Sequence, residues 1–119
     1  MAGETGGLIY KVADRALFEA AMAAGAFNGM PVDLADGYIH FSAAGQLAET
    51  IRKHFAGKPD LVLFAVPTDR LGPELRWEPS RGGALFPHLY QPLDMSLVVH
   101  HQPLVVAGDG STTLPDWVK

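Results

Sequence analysis

Residues Leu61–Val66 read Leu-Val-Leu-Phe-Ala-Val, six apolar side chains in succession with no polar interruption. The run is too short for a typical helix, and in a strand its side chains point alternately to opposite faces. Both faces of that strand must therefore be covered by other parts of the chain, which demands a layered domain. The chain has 119 residues. At that size folding removes about 65% of the extended chain's surface from water, enough for one core without covalent staples.

The flanking sequence supplies the covering. Leu8–Val12 forms a short strand. Asp14 caps a helix running to about Ala24, with Leu17, Phe18, Ala21 and Met22 on its buried face and Gly25 ending it. Phe27–Asp36 is expected to be a loop, broken by Gly29 and Pro31, with Gly37 just beyond. Tyr38–Phe41 is a second strand, and Ser42 is suited to cap the next helix. In that helix Leu47, Ile51 and Phe55 line one stripe, while Arg52, Lys53 and His54 favour the C-terminal dipole and Gly57 terminates it.

After the apolar run comes a turn-rich crossing, Pro67–Pro73. Leu75–Glu78 alternates, which predicts Leu75 and Trp77 inward and Arg76 and Glu78 outward. Pro79–Gly83 is a loop, and His88 and Tyr90 share a face. Met95–Val106 carries a further apolar stretch, bent or ended near Pro103. Ala107–Lys119 reads as a loose tail that Trp117 can dock. No repeat or linker divides the chain, so residues 1–119 are expected to be one domain with its core at about 8–106. The order β–α–β–α, then mostly β, makes it α+β.

Composition excludes several classes of function. Without cysteine there is no disulfide, no thiolate metal site and no cysteine nucleophile. No apolar stretch approaches the ~20 residues that span a bilayer, so no membrane partner is expected. Met1–Gly7 lacks the basic and apolar regions of a signal peptide, which predicts a cytoplasmic location. A formal charge of −4 argues against non-specific nucleic-acid binding, which rests on phosphate neutralisation by Lys and Arg. There is no phosphate-binding Walker loop, dinucleotide glycine fingerprint or nucleophile elbow.

Two stretches concentrate the chemistry. In Asp36-Gly-Tyr-Ile-His-Phe-Ser42, His40 and Ser42 are two apart and face the same side of a strand that leads into a helix N-terminus, a natural place for an anion. In Leu75-Arg-Trp-Glu-Pro-Ser-Arg-Gly-Gly83, Ser80 and Arg81 with the two glycines let backbone approach a phosphate while Arg81 supplies a bidentate donor. Glu78 can accept a sugar hydroxyl or orient a base, and His88 can act as acid, base or donor. The plain alternative makes Ser42 a cap, His40 a bonded structural histidine and the Arg76–Arg81 segment an exposed turn. No metal is expected. His40 and His88 are too few ligands, adjacent His100 and His101 face opposite ways, and Asp33 and Asp36 lack a metal-site spacing.

Ile9-Tyr-Lys-Val, Asp36-Gly-Tyr-Ile-His-Phe-Ser42, Leu75-Arg-Trp-Glu-Pro-Ser-Arg-Gly-Gly83 and Phe86-Pro-His-Leu-Tyr90 together resemble a small bacterial family known as domain of unknown function 952. The resemblance runs from about Leu8 to Leu104. That family looks like a miniature branch of the ADP-ribosyltransferase fold, which implies two short antiparallel or mixed sheets with two helices. It also implies NAD or an ADP-ribosyl nucleotide as the ligand, bound in a cleft. Gly37-Tyr-Ile-His-Phe-Ser42 is similar to the strand whose aromatic residue stacks on nicotinamide in that fold. Lys11 stands where the fold places a ribose-contacting His.

On this resemblance Arg81 and Arg76 would take the pyrophosphate, with Ser80 in the same loop. His40 and Ser42 would contact ribose or the nicotinamide amide, Tyr90 would stack, and Glu78 or His88 would polarise an acceptor of ADP-ribose. The catalytic candidates are thus His40, Glu78 and His88, and the nucleotide-binding ones Lys11, Ser42, Arg76, Ser80, Arg81 and Tyr90. Lys11 in place of His, and the lack of a late-strand glutamate, favour a rival. This is a non-catalytic module that binds a nucleotide, another small anion or a partner protein on the same fold.

Overall fold

Leu61–Val66 lies at the centre of a sheet and is buried along its whole length. In the computed structural model of the protein, residues 7–119 are described, Arg81 by its backbone only. Among them the strands are β1 (Leu8–Asp14), β2 (Ala26–Phe27), β3 (Ile39–His40), β4 (Leu61–Pro67), β5 (Leu75–Pro79), β6 (Leu85–Leu89), β7 (Leu93–Asp94) and β8 (His100–Leu104). The helices are α1 (Arg15–Ala24), α2 (Pro31–Asp36) and α3 (Ala44–His54). Every pairing is antiparallel: β1-β4-β8, β3-β6-β5, and the short pair β2-β7. The fold is therefore α+β, with three helices and three sheets where two of each were expected.

The pleat of β4 divides the core. Val62, Phe64 and Val66 join Ile9 and Ala13 on one face, covered by Phe18 and Ala21 of α1 and by Phe27, Ile39 and Leu89. Leu61, Leu63 and Ala65 join Tyr10 and Val12 on the other, covered by Leu47 and Ile51 of α3. This is the two-sided burial that an apolar strand requires. Pro103 sits in β8, an edge strand of its sheet, where a missing N–H does not break a ladder. His101 meets Phe18 and His100 stacks on Trp117, on opposite faces as their adjacency predicts. The tail returns to the core, with Trp117 stacked on Tyr10 and the Tyr10 hydroxyl donating to the Trp117 carbonyl at 3.1 Å.

Several local expectations are corrected. Only Phe18 and Ala21 of α1 are buried, while Leu17 and Met22 are largely exposed, so the helix contacts the sheet through a narrower stripe. Asp14 precedes α1 without a side-chain cap, and Gly25 closes it in the left-handed conformation. The predicted loop holds α2, opened by Pro31, whose missing N–H costs nothing in a first turn. Ser42 does not cap α3. Its N–H and carbonyl are bonded to Tyr10 at 2.9 Å each, which fastens the chain leaving β3 to β1. The cap falls on Ala43, whose N–H is bonded by Gln46 Oε1 at 3.0 Å. Trp77 points outward at 44% exposure, and Arg76 and Glu78 occupy the other face of the hairpin with His88.

Candidate functional site

The site begins with a buried acid. Asp33, in the first turn of α2, accepts the Met30 N–H at 2.6 Å. Its carboxylate also faces Lys11 Nζ at 3.0 and 3.3 Å, the His40 N–H at 3.1 Å and His40 Nδ1 at 2.7 Å. α2, β1 and β3 are thereby fastened at one point. Burial by itself pushes the Asp33 carboxyl up, and this is the largest single influence. The His40 bond, the Lys11 charge and the two backbone N–H groups together outweigh it, so the group titrates at about 2 against an ordinary 3.8. Lys11 moves down from its usual range because burial outweighs the neighbouring carboxylate.

The lowered Asp33 value has a direct consequence. Stability drawn from the ionised carboxylate is complete above pH 3.8 and is lost as the pH falls toward 2. Asp33 is buried, so the shift converts to about 2 kcal/mol. Urea melts of the wild-type protein between pH 5 and about pH 2 are expected to show that loss, and Asp33→Asn, lower in stability throughout, to show a flatter profile over the same window.

His40 continues the network. Its Nε2 lies 2.9 Å from Asp36 Oδ2, so the ring stands between two carboxylates and bonds both only when each nitrogen carries a hydrogen. Pairing of β3 with β6 sets His40 opposite His88, ring centroids 5.4 Å apart. Tyr38 lies against both, 4.6 Å from His40 and stacked 4.2 Å from His88, and also 5.1 Å from Tyr90.

The hairpin β5–β6 supplies the other half. Glu78 Oε1 accepts from His88 Nδ1 at 2.8 Å and from the Tyr90 hydroxyl at 2.7 Å. Those two bonds, the Tyr90 one first, hold the Glu78 carboxyl below its ordinary value, and the same bond moves the Tyr90 phenol up. The Arg76 guanidinium lies 4.9 Å over the Tyr90 ring.

A cavity of about 590 Å³ opens beside this cluster. Tyr10, Phe41 and Phe86 form apolar wall, and Asp36, His40, Ser42, Ser80 and His88 bring polar groups to it. Glu78, Arg76 and Tyr90 do not line it, and Tyr90 borders a smaller pocket of about 330 Å³ with Tyr38. His88 is 3% exposed, and its Nε2 is a buried polar atom with no hydrogen-bond partner among the described residues. Such atoms are uncommon in folded proteins, and this one belongs to a residue that lines the cavity.

The structure thus gathers His40, Glu78, His88, Arg76 and Tyr90 into one cluster, with Ser42 and Ser80 on the same cavity. Lys11 reaches the cavity wall, but its ammonium is held inside the protein by the Asp33 carboxylate and, at 2.8 Å, by the His40 carbonyl. Ser42 Oγ bonds Thr50 Oγ1 at 3.1 Å. The Arg81 side chain, expected at a phosphate, lies outside the described residues. Asp33 and Tyr38 were not among the expected site residues. Pro31 two residues before Asp33 is a helix-start signal, and Tyr38 two residues before His40 shares its face in a strand, so both had legible cues. Among the described residues no three His, Asp or Glu groups converge as metal ligands would, and no helix is long and apolar enough to cross a membrane.

Comparison with known proteins places these features in context. A family model described as protein of unknown function (DUF952) matches residues 12–101. The chain is 51% identical to protein CC0527 from Caulobacter crescentus in its crystal structure, with a TM-score of 0.87 over 93% of this chain and 97% of that one. A double mutant of CC0527 gives 50% identity and the same TM-score of 0.87 over the same shares, 93% and 97%. Its solution NMR structure gives 53% identity and a TM-score of 0.77 over 87% and 89% of the two chains. No curated protein matches the chain.

Proposed function

The chain belongs to the family described as protein of unknown function DUF952, and from its cavity we propose that it binds a nucleotide of the NAD or ADP-ribosyl class. One observation carries the reading: His88, whose buried Nε2 has no partner among the described residues, is one of the residues lining a cavity of about 590 Å³. That volume is in the usual range for small-molecule sites, which combine apolar walls with a few placed polar groups. Tyr10, Phe41 and Phe86 suit a planar ring, and Ser42, Ser80 and His88 suit its polar substituents. NAD would supply the glycosidic bond to be broken; the chain's own groups bind, orient and exclude water.

A second reading, binding without turnover, has its own support. Glu78 does not line the cavity and can act on a ligand only through His88, and Asp36, which does line it, is bonded to His40. A thermal-shift series with NAD, ADP-ribose and nicotinamide tests binding, and nicotinamide release followed over time tests turnover. A ligand at ~100 times its Kd stabilises the fold by about 2.7 kcal/mol, a rise on the order of 10 °C for this size. A rise with NAD together with released nicotinamide supports a transferase, and a rise without release supports a binding module. No rise with either NAD or ADP-ribose at millimolar concentration refutes the nucleotide reading.

A further inference from the structure

We infer that His88 meets its ligand as a hydrogen-bond acceptor whose tautomer is set by Glu78 and Tyr90, so that the ligand group docking there is a donor, a carboxamide or hydroxyl, and not a phosphate or carboxylate. The identity of the ligand rests on the nucleotide reading; the polarity of the docking point rests on the hairpin alone.

An ionised carboxylate has no hydrogen to give, and Glu78 Oε1 faces both His88 Nδ1 and the Tyr90 hydroxyl. Both partners must therefore donate. The hydrogen of the imidazole then sits on Nδ1, and Nε2 presents a lone pair. A second hydrogen, on Nε2, would be a buried donor with nothing to bond, since that atom has no partner among the described residues. Tyr38, stacked 4.2 Å from the ring at 27°, covers one face of the imidazole, and the bond to Glu78 Oε1 distinguishes Nδ1 from Nε2. Glu78 and Tyr90 are thus positioning residues. They line no part of the larger cavity, yet they decide what its buried acceptor takes.

This reverses what the basic residues nearby suggest. Arg76 lies over Tyr90 and Lys11 is bonded within the protein, whereas the buried side-chain atom without a partner among the described residues is His88 Nε2, an acceptor, which repels an anionic oxygen.

Nicotinamide and nicotinate separate the possibilities, since they share a ring and differ in a donating carboxamide against a carboxylate. Calorimetric titration of the wild-type protein is expected to show nicotinamide bound about ten-fold or more tightly than nicotinate. That preference should collapse in Glu78→Leu and return in Glu78→Gln, whose amide oxygen still accepts from Nδ1. Long-range proton–nitrogen NMR of the histidine rings should show Nδ1 carrying the hydrogen and Nε2 bare in wild type, and a mixture in Glu78→Leu. Equal or tighter binding of nicotinate, or a hydrogen on Nε2, overturns the inference. If neither probe binds, the nucleotide reading fails, and the ring spectrum still decides the tautomer.

Discussion

Asp33→Ala is expected to destabilise the protein by about 3–5 kcal/mol and to lower Tm by on the order of 10–20 °C. Asp33 is 1% exposed and joins a lysine, an imidazole and two backbone N–H groups from three elements. Removing it leaves Lys11, 7% exposed, as a buried charge whose remaining partner is the His40 carbonyl. That uncompensated charge, more than the lost attraction, sets the size of the effect. Lys11→Met in the Asp33→Ala background removes the charge and should recover part of the loss, giving a large coupling in a double-mutant cycle. Thermal and urea melts of the four proteins measure it. A loss under about 1 kcal/mol, or additive effects, would show that the network does not hold α2 to β1 and β3 as described.

The second large effect lies in the core. Phe64 is fully buried in the middle strand, with its ring 5.2 Å from Phe18 and 6.1 Å from Phe27. Phe64→Ala leaves a cavity that neighbours on both β1 and β8 keep open, so the expected loss is about 3–5 kcal/mol. Trp77→Ala removes a larger ring that is 44% exposed, and should cost less than about 1 kcal/mol. Urea denaturation compares the two. Similar losses would contradict the outward placement of Trp77.

These two tryptophan and phenylalanine positions also show how far the sequence could be read. Leu61–Val66 identified the central strand because burial on both faces writes itself as an unbroken apolar run. The stripe Leu47–Ile51 and the breaker Gly25 were local signals and located α3 and the end of α1. Trp77 misled because alternation fixes which residues share a face but not how far along the strand the core extends. Leu75, on the same face, packs against the core beside Leu89, as expected, whereas Trp77, two residues further along the hairpin and paired with Pro87, stays 44% exposed. Ser42 misled for a similar reason. Its backbone is held by Tyr10, a contact no local pattern announces.

The candidate site was legible in its residue types and not in its connections. His40 stands out by its place with Ser42 on a strand leading into a helix, and Glu78, His88 and Tyr90 by their residue types in one short stretch; β3–β6–β5 brings the four together. Asp33 escapes a local reading because residues 27–36 look like a loop, and a carboxylate in a loop gives no hint that a lysine from β1 will be buried on it. Lys11 enters as a ligand contact only through the family resemblance, and its bond to Asp33 is one that no local pattern announces.

His88 carries the proposal of a ligand at this cavity. Titrating ADP-ribose into wild type and His88→Phe by calorimetry tests it most directly, because phenylalanine keeps the ring that stacks on Tyr38 and removes both nitrogens. Wild type is expected to bind and His88→Phe to lose on the order of ten-fold or more in affinity while still unfolding cooperatively. Equal binding by the two proteins, or none by wild type, would contradict the placement of the ligand at this cavity.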